Sequence, residues 1–397
     1  MSAQDATAKG QLGLVVWLVV LAAITAYAAA SGSWFLTAIP VGFLFGFFLQ
    51  KGDLCGSSAM SEVLVFRDAR KLGGLWVAIA VSMVGFAVIA ELGWVVLKPK
   101  PLIWASAVVG GAIFGAGTVL AGGCISGCLY KAGAGNLNSM AALIGMPLGI
   151  AIVEHGPLSP THLWLKGHVV PAAGGGPVTL SSLTGLPFWV LAIFFAVVTV
   201  GVALRLRRGT PRPAQADPLS SRLLHRSWRP WQAGVAIGLL AVPGFLSAVG
   251  SGRSYPLGVT HGVLQAYELV TDDVAVATGR PASAAAAAPE TAAPRRTVSG
   301  WLILLVVAMV PGSFTAARLS GKARLLPKPP DEVVIAFAGG ILVGVGAAFA
   351  TGCVVGNILS GWALMSVGMV LFGVVTLLAN WATAWFYLRG FQGGAVR

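Results

Sequence analysis

Apolar segments alternate with short polar stretches along the whole chain. A helix rises about 1.5 Å per residue, so about 20 residues are needed to cross a hydrocarbon core of about 30 Å. Several segments are long enough, and they predict an all-α protein that crosses a membrane many times. The segments cover residues 12–30, 36–49, 73–97, 104–121, 138–153, 186–206, 231–248, 301–317, 333–350 and 362–387.

The segment 36–49 is too short to span the membrane, because its helix would cover only about 21 Å. It ends in the polar run from Gln50 to Cys55. Irregular backbone at membrane depth occurs only where protein or a water-filled cavity surrounds it. The segments before Cys124 and Cys353 end in similar glycine-containing breaks. We therefore predict three broken or re-entrant helices, each with its cysteine at the break.

One short pattern recurs along the chain: a glycine, a second glycine four residues later, and a cysteine nine residues after that. A fourth copy keeps the glycines and has a serine in place of the cysteine. A lone GxxxG motif mostly indicates helix packing, whereas a glycine pair tied to a cysteine three times indicates an internal repeat. The copies are Gly42, Gly46 and Cys55; Gly111, Gly115 and Cys124; Gly340, Gly344 and Cys353; and Gly234, Gly238 and Ser247.

The order of the segments predicts two corresponding halves, residues 36–185 and 231–388. The basic cluster at 67–71 precedes a helix of the first half, whereas the cluster at 318–328 follows its counterpart in the second half. Basic loops favour the cytoplasmic side, so the two helices would run in opposite directions. We therefore predict an inverted repeat whose halves meet at a central pore, with the loop 154–185 outside the cell.

The remaining segments lie around these halves. A single N-terminal transmembrane helix is expected within 1–35, and a linking helix with a basic cytoplasmic loop is expected within 186–230. An Ala/Pro-rich loop insertion is expected near 267–298, inside the second half, and residues 389–397 form a tail.

Composition excludes a soluble globular protein, since the 397 residues are 56% hydrophobic and only 10% charged, with a mean hydropathy of +0.84. The net charge of +13 does not indicate nucleic acid binding, because the basic residues stand in short loops between apolar segments. The four cysteines stand in apolar, glycine-rich surroundings, which do not suggest a disulfide framework.

The predicted breaks suit a small anion. A helix that begins inside the membrane presents free N–H groups and about half a positive charge at its first turn. A cysteine adds a soft, weak S–H donor, better matched to a sulfur atom than to a hard oxyanion. Lys51 and Lys131 stand close in sequence to Cys55 and Cys128 and would raise the anion concentration at the mouth of a pore. The candidate pathway residues are Cys55, Cys124, Cys353, Cys128, Gly56, Ser57, Gly123, Gly127, Lys131, Gly352, Asn357 and Ser247.

Three motifs resemble those of a known family. They are G-D-L-C-G at 52–56, A-G-G-C-x-x-G-C-L-Y-K-x-G-x-G at 121–135 and A-T-G-C-V-V-G-N at 350–357. Together with the paired glycines, they resemble the YeeE/YedE family of sulfur transporters over roughly residues 39–388. The resemblance implies a multi-pass transporter of the bacterial inner membrane. We expect neither an enzyme nor a cofactor, because no haem-ligating histidine stands in a span and no nucleotide motif of the G-x-x-x-x-G-K type occurs.

The resemblance also implies a substrate and a mechanism. The family is associated with uptake of thiosulfate, which would pass along a row of cysteines through S–H hydrogen bonds without covalent change. Carried over by motif, the row is Cys55, Cys124 and Cys353, with Cys128 and Ser247 less directly supported. Some relatives are linked to a small sulfur-carrier protein of the TusA type, so such a cytoplasmic partner is expected beside thiosulfate and the lipid bilayer.

Two alternatives stay open at this point. Some family members are associated with selenium metabolism, so a selenium-containing species is an alternative substrate. A membrane thiol redox protein is the other alternative, since Cys124 and Cys128 stand one helical turn apart. Cys128 equally fits a small buried hydrophobic residue without a role in transport. The histidines of the loop 154–185 are expected to be solvated, and no metal site is expected.

Overall fold

The computed structural model describes residues 3–172, 174–207, 225–272, 274–277, 297–325 and 327–394. Three predicted regions fall partly outside this description. They are residues 208–224 of the basic loop, 278–296 of the insertion and 395–397 of the tail.

Helices form almost all of the described chain up to residue 207. Two short strands, β1 and β2, pair antiparallel beside them. The elements are α1 (Ala3–Ser31), a 3-10 helix (Trp34–Thr37), α2 (Ala38–Gly52), α3 (Gly56–Val65), α4 (Arg70–Glu91), β1 (Leu102–Ile103), α5 (Trp104–Leu120), α6 (Ile125–Gly133), α7 (Leu137–Glu154), α8 (Ser159–Lys166), β2 (Val169–Val170), α9 (Leu180–Thr184) and α10 (Phe188–Arg207).

The second part of the chain repeats this mostly helical pattern, with a short parallel pair formed by β3 and β4. The elements are α11 (Pro230–Gly250), α12 (Thr260–Thr271), β3 (Ala275–Ala277), β4 (Thr297–Ser299), α13 (Gly300–Leu319), α14 (Pro330–Phe349), a π-helix (Val354–Ser360), α15 (Gly361–Ala363) and α16 (Val367–Gly394). The loop insertion predicted from 267 therefore begins inside a helix, since α12 continues to Thr271.

Within the described residues, nine helical segments are long and apolar enough to cross a membrane. Two of them, Trp34–Val65 and Trp104–Gly133, are interrupted by the breaks at Cys55 and Cys124. The prediction of an all-α, polytopic membrane protein is confirmed.

The three repeated cysteines share one backbone geometry. Each is extended and immediately precedes the first turn of a new helix, so the first N–H groups of that helix have no partner within it. Two residues earlier, a left-handed residue follows the preceding helix, as at many helix ends. The left-handed residues are Asp53 (φ 46°), Gly122 (φ 68°) and Thr351 (φ 55°). The predicted breaks at Cys55, Cys124 and Cys353 are confirmed.

The fourth copy of the repeat has no break at the corresponding position. α11 continues through Ser247 and ends at Gly250. The chain then runs through residues 251–259 to the start of α12. Glycine spacing alone therefore does not interrupt a helix in this protein.

The paired glycines lie where helices of the two halves cross. A Cβ added at Gly115 of α5 would lie 2.5 Å from the carbonyl oxygen of Thr376 on α16. A Cβ added at Gly238 of α11 would lie 2.8 Å from the carbonyl oxygen of Ala78 on α4. The glycine pairs of α2 and α14 contact α13 and α7 in the same way. Such close approach requires residues without side chains, so the pairs serve packing and interlock the halves.

Hydrogen bonds show which loops share an end of the helix bundle. At one end, Lys51 donates to Ser320 (2.8 Å) and Lys71 donates to Asp53 (2.7 Å). We call this the basic end; it contains residues 51–53, 66–71, 225–229 and 320–324. Because α4 begins and α13 ends there, these two helices run in opposite directions, as the charge clusters predicted. The inverted repeat as a whole stays a prediction.

The opposite end of the bundle contains the other connections. Lys100, which follows α4, donates to the carbonyl oxygen of Thr351, which follows α14. The strands β1 and β2 pair at this end, and Thr179 forms an isolated bridge with Ser366. The loop 154–185 therefore lies at the end opposite the basic clusters.

Candidate functional site

The first two breaks meet in the protein interior. The thiols of Cys55 and Cys124 are fully buried, and both lie beside the same helix start. Gly127, on the first turn of α6, lies against both: an added Cβ would contact Cys55 Sγ and lie 3.5 Å from Cys124 Sγ. Only glycine at position 127 leaves room for the two thiols at this helix start.

The third break reaches the same region from the second half. Gly56 is the first residue of α3, and Val354 is the first residue of the π-helix. A Cβ added at Gly56 would lie 2.6 Å from Val354 Cγ1, so these two helix starts touch. Cys55 and Cys353 are the residues that immediately precede them, and Cys353 is also fully buried. The structure therefore brings all three predicted cysteine breaks together.

A small cavity lies between these helix starts. It encloses about 20 Å³ and is lined mostly by apolar side chains, together with Gly56, Ser126 and Val354. This volume holds about one water molecule. The cavity is therefore too small to hold a polyatomic anion.

A lysine binds the left-handed residue at every one of the three breaks. The pairs are Lys71 with the Asp53 carboxylate (2.7 Å), Lys131 with the Gly122 carbonyl oxygen (2.7 Å) and Lys100 with the Thr351 carbonyl oxygen (2.5 Å). The carboxyl end of a helix carries about half a negative charge, which a nearby ammonium group offsets. Lys131 and Lys100 therefore reduce the negative field of the helix before their breaks, whereas Lys71 compensates side-chain carboxylates.

Two cations form a cluster at the opposite end, which we call the outer cation cluster: Lys100 and Arg253. Both lie against the ring of Tyr255, whose hydroxyl donates to the carbonyl oxygen of Gly356 in the π-helix (2.7 Å). Within the described ranges, no ion pair joins either cation to a carboxylate. Arg253 Nη1 is buried without a hydrogen-bond partner there. The cluster is therefore suited to bind an anion close to the Cys353 break.

Burial changes the protonation of this cluster. Desolvation, followed by repulsion from Arg253, lowers the pKa of Lys100 to about 7. Desolvation lowers the pKa of Arg253 to about 10, so its guanidinium stays charged at neutral pH. Neither Lys100 nor Arg253 belongs to the pathway residues that the sequence pattern predicts. The available signal was the position of Lys100 in a loop that the charge pattern predicts to be external, against the usual placement of lysines inside the cell.

Asn357 holds the Cys353 break in place. Its amide nitrogen donates to the carbonyl oxygens of Ala350 and Gly352, both at 3.0 Å, and its side-chain oxygen accepts from Lys100 (2.9 Å). A Cβ at Gly352 would collide with that side-chain oxygen. The predicted pathway residues Gly352 and Asn357 are thus adjacent, and the Asn357 amide is used within the protein.

The remaining candidates of the first half pack close to the breaks. Ser57 donates its hydroxyl to the carbonyl oxygen of Thr118 on α5 (3.1 Å), so it connects α3 to the neighbouring broken helix. The Cys128 thiol points back toward the Cys124 break and donates to the carbonyl oxygen of Ala121 (3.8 Å). A Cβ added at Gly123 would lie 3.2 Å from Cys128 Sγ.

Two other predicted positions lie apart from the thiols. The Ser247 hydroxyl accepts from the indole nitrogen of Trp301 (2.7 Å) and is hydrogen-bonded to Thr37. This network joins α11, α13 and the 3-10 helix. Lys51 is buried at 1% exposure and donates to Ser320, so it does not stand at an exposed opening as expected.

Two histidines of the loop 154–185, His155 and His162, differ from the expectation of a solvated cluster. His162 is only 4% exposed, and its ring lies 6.0 Å from that of Phe349. His155 binds Glu268 of α12 (2.7 Å). The cause is the docking of α12 and α8 onto the bundle, which covers part of this loop. Among the described residues, no group of three His, Cys, Asp or Glu side chains is arranged to hold a metal ion.

Comparisons with known proteins identify the family of the chain. Residues 51–385 match the model of a family described as "Sulphur transport". The chain is 31% identical to "Thiosulfate transporter TsuA" of Spirochaeta thermophila over 363 residues, which cover 89% of this chain and 99% of the relative. It is 27% identical to "Thiosulfate transporter TsuA" of Escherichia coli, over 90% of this chain and 96% of the relative. A shorter match, 31% over 113 residues, joins it to "Probable transporter YedE" of Escherichia coli and covers 28% of this chain and 27% of the relative.

Proposed function

The chain belongs to the sulphur transport family, and from this premise we propose that it imports thiosulfate through a pathway between its three broken helices. The family and the relatives named above are transporters and not enzymes. One observation carries the proposal: Cys55, Cys124 and Cys353 are buried free thiols, each at the start of a helix, and the three starts meet.

Uptake begins at the outer cation cluster. The charges of Lys100 and Arg253, with no carboxylate paired to them in the described chain, attract a dianion to the Cys353 break. The ammonium of Lys100 has three N–H groups, and two are used by Thr351 and Asn357. The third is available to the anion, which then lies beside the first turn of the π-helix.

The anion then passes between the thiols. The Cys353 S–H donates to the anion first, and the pair formed by Cys55 and Cys124 donates next. The free N–H groups at the starts of α3 and α6 stabilise the negative charge without a buried counter-ion. Each thiol is a weak donor that binds loosely, so the anion moves on from one to the next without forming a covalent bond.

The cavity beside the helix starts holds only about 20 Å³, so we take the proposed pathway to be closed at rest. The three cysteine side chains at the breaks are small, and Gly56, Gly123 and Gly127 beside them have no side chains. Rotation of the cysteine side chains therefore opens space for the anion. Transport therefore proceeds by local movements at the breaks.

The proposed location is the bacterial inner membrane, with the basic end in the cytoplasm. The multi-pass architecture, with nine candidate spans in the described residues, and the basic loops at one end support this orientation. A cytoplasmic sulfur carrier of the TusA type is the proposed acceptor at the basic end.

Two alternatives have different support. A redox pair of Cys124 and Cys128 needs the two thiols to approach each other, yet the Cys128 thiol donates to Ala121 whereas the Cys124 thiol is hydrogen-bonded to Ser126. Transport of a selenium-containing anion uses the same thiols, because selenium and sulfur are both soft. Competition experiments distinguish these substrates.

The test is uptake of labelled thiosulfate by the purified protein in liposomes. We expect uptake that unlabelled thiosulfate suppresses and that sulfate and sulfite suppress weakly, since neither carries a terminal sulfur atom. A Cys124→Ala variant of equal melting temperature serves as the matched control. Absence of thiosulfate uptake by the folded wild-type protein, or stronger competition by selenite or selenate, contradicts the proposed substrate.

A further inference from the structure

Asp53 differs from its counterparts at the other two breaks. The left-handed position carries a carboxylate only in the Cys55 copy, where Gly122 and Thr351 stand in the others. At those two breaks the lysine binds a backbone carbonyl group, which is fixed in place. At the first break Lys71 binds the Asp53 side chain, whose carboxylate changes position by a change of rotamer without movement of the backbone.

The Asp53 carboxylate lies between two donors from different helices. One of its oxygens accepts from Lys71 Nζ of α4 (2.7 Å), and the other accepts from the hydroxyl of Tyr130 on α6 (2.9 Å). Tyr130 is 1% exposed, whereas the Asp53 side chain is 53% exposed. A half-solvated carboxylate therefore covers a buried hydroxyl group.

Lys71 does not depend on Asp53 for charge compensation. Its ammonium group also binds the Glu62 carboxylate of α3 (2.6 Å). Removing the Asp53 carboxylate thus leaves Lys71 paired, and the Tyr130 hydroxyl becomes the donor without an acceptor. An anion that reaches this point finds two donors already arranged for a negatively charged group.

This position lies at the inner limit of the thiol pathway. Asp53 is two residues from Cys55, a chain length of about 7 Å at most. Tyr130 is on α6, the helix whose Gly127 contacts the Cys55 thiol. Asp53 also belongs to the basic end, so an anion leaving the thiols toward that end passes these side chains.

We propose that Lys71 and Tyr130 form an inner subsite for a small divalent anion, which the Asp53 carboxylate occupies at rest and the transported anion displaces. The inference rests on the proposed function, since it takes the anion to arrive from the thiols. The displaced carboxylate turns into water, where its hydration replaces the two lost hydrogen bonds. Return of the carboxylate then releases the anion toward the basic end.

The proposal predicts that a neutral residue at position 53 strengthens anion binding. When a side chain of the protein occupies a binding site for part of the time, the apparent affinity for the ligand is reduced in proportion to the fraction of time that the site is empty. In the purified full-length protein, Asp53→Asn is expected to bind thiosulfate about tenfold more tightly than wild type, measured by calorimetry. Asparagine tolerates the left-handed backbone and keeps the shape of the side chain. If Asp53→Asn does not fold, Asp53→Gly takes its place.

Two further variants identify the subsite. Tyr130→Phe combined with Asp53→Asn is expected to lose the gain, because the buried donor is gone. Asp68→Asn is the matched control: Asp68 is another carboxylate of the basic end, bound to Arg70 (2.6 Å), and its loss is expected to leave thiosulfate affinity unchanged. Melting temperatures are measured for every variant.

Equal or weaker binding by a folded Asp53→Asn protein overturns the proposal, as does a gain that persists with Tyr130→Phe or that Asp68→Asn reproduces. Wild-type uptake in the same preparation separates the two levels of inference. Normal wild-type uptake with no gain in Asp53→Asn overturns the inner subsite alone, whereas absence of wild-type uptake overturns the proposed function with it.

Discussion

Four helices of this protein carry the same glycine spacing, yet three of them are broken and one is continuous. At Cys55, Cys124 and Cys353, a left-handed residue and an extended cysteine interrupt the helix. α11 instead runs through Ser247, whose hydroxyl is occupied by Trp301 and Thr37. All four glycine pairs nevertheless contact a helix of the other half.

The comparison separates two properties that the repeat combines in sequence. Close packing comes from the glycines, and it is present in all four copies. Free N–H groups and a thiol inside the membrane come from the break in the helix, and they are present in three of the four copies of the repeat. The pathway therefore depends on the residues just after each glycine pair, and changes there test function apart from folding.

The largest effect is expected from removing a thiol at a break. Cys124→Ala loses the S–H donor at the contact between two helix starts, and one lost hydrogen bond corresponds to a decrease in thiosulfate uptake of about tenfold or more. Cys124→Ser is expected to restore little, because a hydroxyl group prefers oxygen and water. Uptake in liposomes is compared with expression and melting temperature. Normal transport by stable Cys124→Ala and Cys353→Ala proteins excludes the thiol pathway.

A change at a glycine pair is expected to affect folding. Gly115→Ala places a Cβ 2.5 Å from the carbonyl oxygen of Thr376, and such overpacking costs about 1–3 kcal/mol. The matched control is Gly201→Ala on α10, where an added Cβ meets no atom within 4 Å. Thermal unfolding in detergent measures the difference. Equal melting temperatures for the two variants contradict the packing role.

A smaller effect is expected from the charge of Lys100. Its pKa is lowered to about 7, so it is charged below that pH and becomes neutral as the pH rises through it. Uptake is expected to fall by about fivefold between about pH 6 and about pH 8 outside the liposomes. Lys100→Arg keeps its charge and is expected to flatten this dependence. The same steep profile in Lys100→Arg assigns the pH dependence to another group.

The smallest effect on transport is expected at the continuous helix. Ser247→Ala leaves the Trp301 indole N–H without its acceptor, which costs about 1–3 kcal/mol of stability, while uptake stays within about twofold of wild type. Ser247→Cys supplies the missing thiol and is expected to add no transport, because α11 has no break there. Loss of uptake in a folded Ser247→Ala protein places Ser247 in the pathway.

The sequence predicted the helices and breaks because each rests on local properties. Apolar length indicates a span, and a polar run such as Gln50 to Asp53 inside an apolar region indicates a break. The glycine register then placed Cys55, Cys124 and Cys353 at equivalent positions.

The sequence did not predict which distant residues complete the site. Lys100 and Arg253 are 153 positions apart (253 − 100) and meet only through the packing of α14, the π-helix and the segment before α12. The burial of His162 likewise depends on α8 docking beside Phe349. Such contacts between distant segments leave no local pattern in an isolated sequence.

The interlocked glycine crossings have a consequence for how the protein is made. The glycine face of α2 has its partner in α13, and that of α5 has its partner in α16, both synthesised much later. Until α13 and α16 are inserted, the glycine faces of α2 and α5 are therefore in contact with lipid chains. The helices of the first half therefore lack their packing partners until the second half is made. If synthesis stops before α13, these helices stay unassembled and are degraded by membrane proteases.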